Sequence, residues 1–427
     1  MNTYELSTPD TWLRRLIAPR VDHPLIVPIV APGLVGRAAR HLAVNALRSR
    51  WPALGPRLEM TLPNGEILEL GGHGDPARVR VHDDRMFVRL LTRGEMGAGE
   101  SYVAGEWDAD DLTLVVRRFL RATGARGFES PLTVLGRLPA LVRHRRANNS
   151  RAGSERNIGA HYDLGNSFYR LFLDDSLAYS CALWPRADMT LAEAQEAKFE
   201  RLAELLDLRP GQRVLEIGGG WGGLAMYLAR TRGVHVTAVT VSKAQLAEAQ
   251  ARIATAGLSD RVRFEFRDYR DLGPETYDKV VSVEMLEAVG HEYLPTYFAA
   301  VARALVPGGR AAIQTITMPD DRYEGYRQSV DWMQTYIFPG SLIPSLGAIR
   351  GALAGTGLTL TRADDIGPDY APTLAAWRDN FIARMPEVKA LGYDTPFIRT
   401  WLLYLAFSEA AFAERTLGDH HLVFDRA

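Results

Sequence analysis

The sequence predicts an α/β protein in which a doubly wound parallel sheet follows a smaller N-terminal α+β domain. A chain of 427 residues is too long for one ordinary hydrophobic core, so we expect two domains. From about residue 158 onward, short apolar runs rich in β-branched residues alternate with segments of helical spacing. The first 145 residues carry hairpin signals instead. The expected domains are therefore 1–145 and 158–427, joined by a linker at 146–157.

The N-terminal domain is expected to contain two hairpins and one amphipathic segment. Alternating apolar residues flank Asn64-Gly65 in LEMTLPNGEILEL, which is a strong hairpin signal. The segment RVRVHDDRMFVRLL predicts a second hairpin around Asp83-Asp84. The run WLRRLI at 12–17 combines basic and apolar residues, and it fits either a membrane-surface segment or an ordinary amphipathic helix.

The linker and the composition restrict the partners of the protein. The run RHRRANNSRAGSERN at 143–157 is typical of a solvated connection, with contact to anionic lipid head groups as the alternative. A net charge of −1 provides no overall field toward nucleic acid, and neither nucleic acid nor a metal ion is expected as a partner. The single cysteine, Cys181, excludes an internal disulfide framework. The first residues lack a secretory pattern and no early apolar stretch is long enough to span a bilayer, so we expect a cytoplasmic protein.

The second domain is expected to begin a strand–helix alternation with RVLEIGG and HVTAVTV as buried parallel strands. VRFEFRD, KVVSVEML, RAAIQTIT and LTLTRADDIG continue the strands, while LAMYLARTR and KAQLAEAQARIATAG have helical spacing. The second of these helices is expected to end at Gly257. Residues 320–357 interrupt the alternation, and their aromatic content predicts a covering element, not a further part of the sheet.

The clearest motif is the glycine-rich run EIGGGWGG at 216–223, which follows a strand and opens a helix. Glycines at this place let the backbone approach a ligand closely. Gly218, Gly220 and Gly223 also satisfy the G-x-G-x-x-G spacing of nicotinamide dehydrogenases. Against that reading, Glu216 directly precedes the glycines, where a carboxylate suits an ammonium or sulfonium better than a pyrophosphate. The next strand also ends without an acid for the ribose. We therefore expect S-adenosylmethionine.

Six segments resemble signatures of the cyclopropane-fatty-acid synthase family, in the same order. They are GAHYDLGNSFYRLFLDDSLAYSCALW, VLEIGGGWGGLA, VTVSKAQ, RDYRDL, SVEMLEAVG and YIFPGSLIPS, and GEMGAGESYVAGEWD at 94–108 is similar to the N-terminal domain of bacterial members. The resemblance implies a Rossmann-like class I methyltransferase domain beside the smaller α+β domain. It also implies addition of a one-carbon unit from S-adenosylmethionine to the cis double bond of an unsaturated acyl chain in a membrane phospholipid. Peripheral contact with the inner face of the cell membrane, and a homodimer, are expected on the same ground.

The resemblance also assigns cofactor contacts. The corresponding residues, together with the glutamate of the glycine motif, are Tyr179, Ser180, Glu216, Gly218, Gly220, Thr240, Gln245 and Tyr269. Thr240 and Gln245 would hold the ribose, which explains the missing acid. Tyr269 would stack near adenine, with an ordinary partly buried aromatic as the alternative.

Closing a cyclopropane requires a weak, shielded base that removes a proton from the added methyl group. In the family this base is a bound bicarbonate, and the resemblance assigns its contacts to Cys181, Glu287, Gln314, Tyr370 and the backbone of Ile316. Gln314 stands where the family has a histidine, and Ala288 where a histidine often follows the motif glutamate. Gln314 still forms hydrogen bonds but cannot become cationic. His291 is a weak candidate to substitute for the missing histidine, and Cys181 is alternatively just a small buried hydrophobe.

These departures leave the product open. A cyclopropane is the first expectation. A less firmly placed base would allow a hydride shift and a mid-chain methylene branch, as in relatives that start 10-methyl fatty acid synthesis. A methyltransferase acting on a small molecule and a non-catalytic lipid-binding protein are more distant alternatives, and the anion-binding trio of Cys181, Glu287 and Tyr370 argues against the first of these.

Two further expectations concern the walls of the pocket. Aromatic faces can steady a carbocation without attacking it. The candidate rings, each of which is otherwise an ordinary core residue, are Tyr162, Phe168, Tyr169, Trp332, Tyr336, Phe338 and Tyr370. His161 and Asp163 are expected to close a helix over the pocket.

Overall fold

The computed structural model describes residues 33–123 and 164–427. The expectations for the amphipathic run at 12–17, for the basic run at 143–157, and for His161, Tyr162 and Asp163 lie outside the described residues. In the two described ranges, no helix combines the length and the apolar character needed to cross a bilayer.

The first described range forms a four-stranded sheet with three helices. Its elements are α1 Gly33–Arg50, β1 Pro56–Thr61, β2 Ile67–Leu70, β3 His73–Val81, α2 Arg85–Val103, β4 Trp107–Ala109 and α3 Leu112–Thr123. The strand order is β2-β1-β3-β4, with β1 antiparallel to β2 and parallel to β3. The hairpin predicted around Asn64-Gly65 is confirmed, because β1 and β2 pair across this turn and Gly65 has a φ of 85°.

The second predicted hairpin is wrong. Strand β3 ends at Val81 and helix α2 begins at Arg85, so Asp83-Asp84 lies between a strand and a helix. The apolar residues after this turn are buried at helical spacing, as at Phe87 and Leu90. The antiparallel neighbour of β3 is instead β4, in which Trp107 lies opposite Val81.

The second described range contains a seven-stranded sheet flanked by helices. Its elements are α4 Asn166–Tyr169, α5 Leu191–Leu206, β5 Arg213–Ile217, α6 Gly223–Arg232, β6 His235–Thr240, α7 Lys243–Thr255, β7 Val262–Phe266, β8 Tyr277–Val283, α8 Leu294–Ala304, β9 Leu305–Thr317, α9 Asp320–Arg327, α10 Trp332–Tyr336, α11 Leu346–Ala352, β10 Leu358–Asp365, α12 Tyr370–Ala383, α13 Met385–Ala390, α14 Thr395–Ala413 and β11 Gly418–Arg426. Helix α7 is followed by Gly257 in a left-handed conformation (φ 66°), as expected for a helix end.

The sheet order is β10-β11-β9-β8-β5-β6-β7. Strands β5 to β9 are mutually parallel, and β11 lies antiparallel between β9 and β10. The predicted α/β class is confirmed, although the closing strand β11 was not predicted. Strand β5 has β6 on one side and β8 on the other, so the chain winds in opposite directions from this point. In such sheets the ligand crevice lies at the carboxyl ends of the strands where the winding direction changes, here β5 and its neighbours β6 and β8.

The insertion at 320–357 forms the three helices α9, α10 and α11. It contacts the first described range through α10. The Tyr336 hydroxyl donates to the Glu100 carboxylate at 2.7 Å, and a Cβ at Gly99 would lie 2.6 Å from the Trp332 ring. The small residue at position 99 therefore lets the insertion pack closely on α2.

Candidate active site

A pocket lies at the carboxyl ends of β5, β6 and β8, where the sheet topology predicts a ligand crevice. The structure places all eight expected cofactor residues around it: Tyr179, Ser180, Glu216, Gly218, Gly220, Thr240, Gln245 and Tyr269. They come from three separate strand ends and from the segment before α5, so the sequence order alone does not bring them together.

The glycine motif lines the pocket, and two of its positions leave no room for a side chain. Gly218 and Gly220 have φ values of 84° and 53°, which favour glycine. A Cβ at Gly218 would lie 2.9 Å from Met285 Cγ, and one at Gly223 would lie 2.5 Å from the Ser176 carbonyl oxygen. The backbone of the loop can therefore approach a ligand closely at the start of α6.

Glu216 supplies a buried carboxyl group to the same pocket. It is 3% exposed, and its Oε2 atom has no hydrogen-bond partner. Burial raises the pKa of Glu216 to about 8. A buried carboxylate oxygen without a donor is costly unless a ligand provides one. An ammonium group such as that of S-adenosylmethionine fits this requirement.

The remaining expected cofactor residues are held by local contacts. The Thr240 hydroxyl donates to Gln245 Oε1 at 3.0 Å, which leaves the amide nitrogen of Gln245 as its donor group. The Tyr269 ring packs edge-on against Tyr297 with 5.2 Å between centroids. Tyr269 therefore lines the pocket and also packs against the core. A contact with adenine and an ordinary partly buried position are compatible for this residue. The Tyr179 hydroxyl donates to Tyr404 at 2.7 Å.

Glu284, which was not predicted, is the carboxylate at the centre of the proposed catalytic residues. Its Oε1 accepts from the Cys181 backbone N–H at 2.8 Å and from Gln314 Nε2 at 2.9 Å, and its Oε2 accepts from the Tyr370 hydroxyl at 2.6 Å. Glu284 also lines the cofactor pocket. Its φ of 47° is unusual for a residue with a side chain, and such strain is typical of functional positions.

The electrostatics of this carboxylate combine burial with several donors. Burial raises the pKa of Glu284, and the Tyr370 hydroxyl, the Cys181 N–H and the Lys198 charge counteract that rise. Lys198 is fully buried, and its Nζ donates to the Ser180 hydroxyl at 2.6 Å. Lys198 was not predicted either, and the charge of its ammonium group favours the ionised form of Glu284.

The predicted residues Glu287 and Ile316 form a second, adjacent group. Glu287 Oε1 accepts from the Ile316 N–H at 2.6 Å and from the Thr315 hydroxyl at 2.9 Å, while Oε2 has no partner. Burial raises the pKa of Glu287 to about 8, and the nearby Glu284 charge adds to the rise. The thiol of Cys181 donates to the Ala182 carbonyl at 3.1 Å, so this residue reaches the site through its backbone and not its sulfur.

The donors that the resemblance assigns to bicarbonate are already engaged by carboxylates of the chain. The Cys181 N–H, Gln314 and Tyr370 contact Glu284, and the Ile316 N–H contacts Glu287. The residues present therefore do not fit an additional bound anion at this position.

Other expected contributors lie elsewhere. His291 pairs through Nδ1 with the Tyr323 hydroxyl at 2.9 Å and has no described contact with Glu284. Phe168 and Tyr169 are fully buried, and Phe168 packs against Trp401 at 4.9 Å. The expected rings contact different neighbours: Tyr169 packs against the pocket residue Tyr179 at 5.4 Å, Trp332 and Tyr336 contact α2, Phe338 contacts Tyr404, and Tyr370 contacts Glu284.

The chain is similar to known proteins of one family. Residues 149–422 match the family model described as mycolic acid cyclopropane synthetase. The tuberculostearic acid methyltransferase UfaA1 of Mycobacterium tuberculosis is 38% identical over 414 residues, which cover 94% of this chain and 92% of that protein. The cyclopropane-fatty-acyl-phospholipid synthase of Escherichia coli K12 is 38% identical over 358 residues, covering 82% of this chain and 88% of that protein.

A solved structure is also similar. The mycolic acid cyclopropane synthase CmaA1, in complex with SAH and CTAB, aligns with a TM-score of 0.59 and 30% identity. The alignment covers 64% of this chain and 98% of that one. The chain therefore belongs to the mycolic acid cyclopropane synthetase family, and it is an S-adenosylmethionine-dependent methyltransferase with a Rossmann-like fold.

Proposed function

We propose that this enzyme methylates the cis double bond of an unsaturated acyl chain in a membrane phospholipid and then closes a cyclopropane ring. The observation that carries this proposal is the Glu284 carboxylate, which three donors hold at the wall of the cofactor pocket. We propose that this carboxylate takes the place of bicarbonate as the base.

The chemistry requires a base that accepts a proton without attacking carbon. Bound S-adenosylmethionine supplies an electrophilic methyl group, which a weakly nucleophilic alkene attacks to leave a carbocation on the acyl chain. The Glu284 carboxylate attracts this cation through its charge. The hydrogen bonds that Glu284 accepts engage lone pairs that would otherwise attack the cation and form an ester. Removing a proton from the new methyl group then lets the electron pair of its C–H bond close the ring.

The placement of Glu284 favours a ring over a branch. Gln314 cannot become cationic, so it would hold a free anion weakly, but a carboxylate attached to the backbone needs no such charge to stay in place. Glu284 and the glycine loop line the same pocket. The base is therefore close to where the transferred methyl group arrives. Loss of a proton from this methyl group before any hydride shift gives the cyclopropane, whereas loss after the shift gives the methylene branch, so a firmly held base favours the ring.

A methylene-branched product of the 10-methyl type is the second candidate. The relative that covers 94% of this chain is named a tuberculostearic acid methyltransferase, and the histidine that the family places at position 314 is absent. The branch would form if a hydride shift along the chain preceded loss of the proton.

Membrane contact belongs to the same proposal, because a phospholipid acyl chain must leave the bilayer to react. Helix α1 exposes Leu34, Val35 and Leu42 and contains no acidic residue, which suits reversible contact with an anionic surface. We place the enzyme at the inner face of the cell membrane, and we expect a homodimer, which sedimentation of the purified chain would test.

The first experiment combines the purified enzyme with S-adenosylmethionine and vesicles of monounsaturated phospholipid. Ring and methylene products have the same mass, so mass spectrometry detects the transfer and NMR distinguishes the products. Cyclopropane proton signals would support the proposal, and exocyclic methylene signals would favour the second candidate. Absence of transfer to any unsaturated lipid, in a preparation that binds the cofactor, would overturn the lipid assignment.

The second experiment tests the base directly. Glu284→Gly should lower kcat by about 10²–10⁴-fold without changing cofactor affinity, because a general base is lost. Glycine suits the φ of 47° at this position. Added bicarbonate should partly restore Glu284→Gly, since the Cys181, Gln314 and Tyr370 donors then become available to an anion, whereas the wild type should not respond.

The matched control is Glu292→Gln, an exposed glutamate in the same region, which should behave like the wild type. The proposal would be contradicted if the wild type required bicarbonate and Glu284→Gly were fully active. Bicarbonate, and not Glu284, would then be the base.

A further inference from the structure

Strand β11 brings two buried polar side chains to the centre of the sheet. Asp419 lies opposite Ile316 and His421 lies opposite Gln314 in the pairing of β11 with β9. Asp419 is fully buried and His421 is 1% exposed. Burying such groups is costly unless they are paired, and the proposed chemistry so far uses neither of them.

His421 fixes the orientation of the Gln314 amide. Its Nε2 pairs with Gln314 Oε1 at 3.2 Å. Burial lowers the pKa of His421 to about 3, so the ring is neutral, and Nε2 carries the proton because the amide oxygen can only accept. The amide nitrogen then points toward the carboxyl groups of Glu284 and Asp419.

The Gln314 nitrogen joins two carboxyl groups. It donates to Glu284 Oε1 at 2.9 Å and to Asp419 Oδ2 at 3.0 Å, so the two carboxyl groups are neighbours. A flipped amide would direct its oxygen at both carboxyl groups, so the observed orientation is the stable one. Burial and the charges of Glu284 and Glu287 raise the pKa of Asp419 well above its usual value. Glu284 accepts three hydrogen bonds, whereas Asp419 accepts one and its Oδ1 atom has no partner, so the proton of the pair belongs on Asp419.

We propose that Asp419 is a positioning residue for the base: its carboxyl group and that of Glu284 hold one proton between them, in an arrangement that His421 fixes through Gln314. This inference rests on the proposed role of Glu284. Protonated Asp419 donates to the Glu284 carboxylate without placing a positive charge beside it. The donors that contact Glu284 directly, from Cys181, Gln314 and Tyr370, are likewise neutral.

The proton balance of the step is simple. The C–H bond of the transferred methyl group breaks, its electron pair forms the last C–C bond of the ring, and the proton moves to Glu284. The two carboxyl groups then carry two protons and no charge, and one proton leaves for solvent before the next turnover. Asp419 acts through Glu284 and does not touch the acyl chain.

The test compares Asp419→Leu with Asp419→Asn. The leucine removes the donor to Glu284, so kcat should fall at least about tenfold while KM for S-adenosylmethionine stays unchanged. Asparagine can accept from Gln314 and donate to Glu284, so Asp419→Asn should restore most of the lost kcat. Equal kcat in Asp419→Leu and wild type would overturn the inference, and so would an Asp419→Asn enzyme as slow as Asp419→Leu.

A second pair of variants keeps the inference testable if Asp419→Leu does not fold, as judged by loss of cofactor binding. His421→Gln retains a donor to the Gln314 oxygen, while His421→Leu does not. We expect a slow His421→Leu and a nearly normal His421→Gln, and a normal His421→Leu would overturn the inference. Full activity of Glu284→Gly would instead remove the proposed function itself, so the two failures are distinguishable.

Discussion

Glu216 is expected to select a positively charged group of the ligand. Its unpartnered oxygen is buried in the cofactor pocket. We expect Glu216→Gln to weaken S-adenosylmethionine binding roughly 10- to 100-fold, because the amide gives up a charge-assisted hydrogen bond of about 1.5–3 kcal/mol to the ammonium. Isothermal titration calorimetry measures the change, with the exposed Glu204→Gln as control. Equal affinities of the two variants would contradict this role.

The pH dependence of binding follows from the same residue. Burial raises the pKa of Glu216 to about 8, so at lower pH the carboxyl must lose a proton before it can hold an ammonium. The affinity of the wild type should therefore rise from about pH 6.5 to about pH 7.5, a range in which few ordinary carboxyls titrate and an α-amino group is still largely protonated. Glu216→Gln should have a flatter profile, and parallel profiles would argue against a titrating contact.

The two glutamates of the EMLEAVG segment show that the sequence can locate a site segment without identifying which of its side chains enters the site. The motif identifies the region, but it contains Glu284 and Glu287, and the resemblance selects only Glu287. The positive φ at position 284 turns this side chain toward Cys181, Gln314 and Tyr370. A backbone conformation of this kind leaves no periodic signal, so the carboxylate that collects the donors was not predicted.

At the scale of elements, the start of α6 tolerates no side chain. We expect Gly223→Ala to lower the free energy of unfolding by about 1–3 kcal/mol, because its Cβ would meet the Ser176 carbonyl oxygen at 2.5 Å. Gly351→Ala, in α11, has open space around the new methyl group and should stabilise by about 0.4–1 kcal/mol. Urea denaturation compares the two, and a Gly223→Ala protein as stable as the wild type would show that the loop can shift.

Helices and strands were predictable where a residue pattern is compatible with only one type of secondary structure. The parallel strands β5 and β6 are continuous apolar runs, and they were predicted in the right places. The Asp83-Asp84 turn was misread because a polar turn between apolar segments precedes a helix as readily as a strand. Strand β11 was missed because GDHHLVFDR begins with polar residues, and Asp419 and His421 gain their partners only from the neighbouring strand.

In the whole molecule, Arg399 connects the two described ranges of the chain. Arg399, on α14, donates to the Tyr102 carbonyl at 2.5 Å, to the Trp107 carbonyl at 2.7 Å and to the Asp108 carboxylate at 2.8 Å. Its guanidinium also lies 4.0 Å from the centroid of the Tyr102 ring. The sequence predicted two domains but gave no sign of this contact, because its members are about 290 positions apart.

We expect Arg399→Ala to lower the free energy of unfolding by roughly 1–3 kcal/mol, because it removes hydrogen bonds to the Tyr102 and Trp107 carbonyls and an ion pair with Asp108, a half-exposed carboxylate that keeps its contact with His82. Arg362→Ala removes a solvent-exposed pair with Asp364 and should cost about 1 kcal/mol or less. Lysine at position 399 keeps the charge but not the forked geometry, so Arg399→Lys should fall between them. Urea denaturation of the full chain provides the comparison. If Arg399→Ala and Arg362→Ala lose the same stability, this contact does not join the domains, and the packing of Trp332 on Gly99 becomes the main connection.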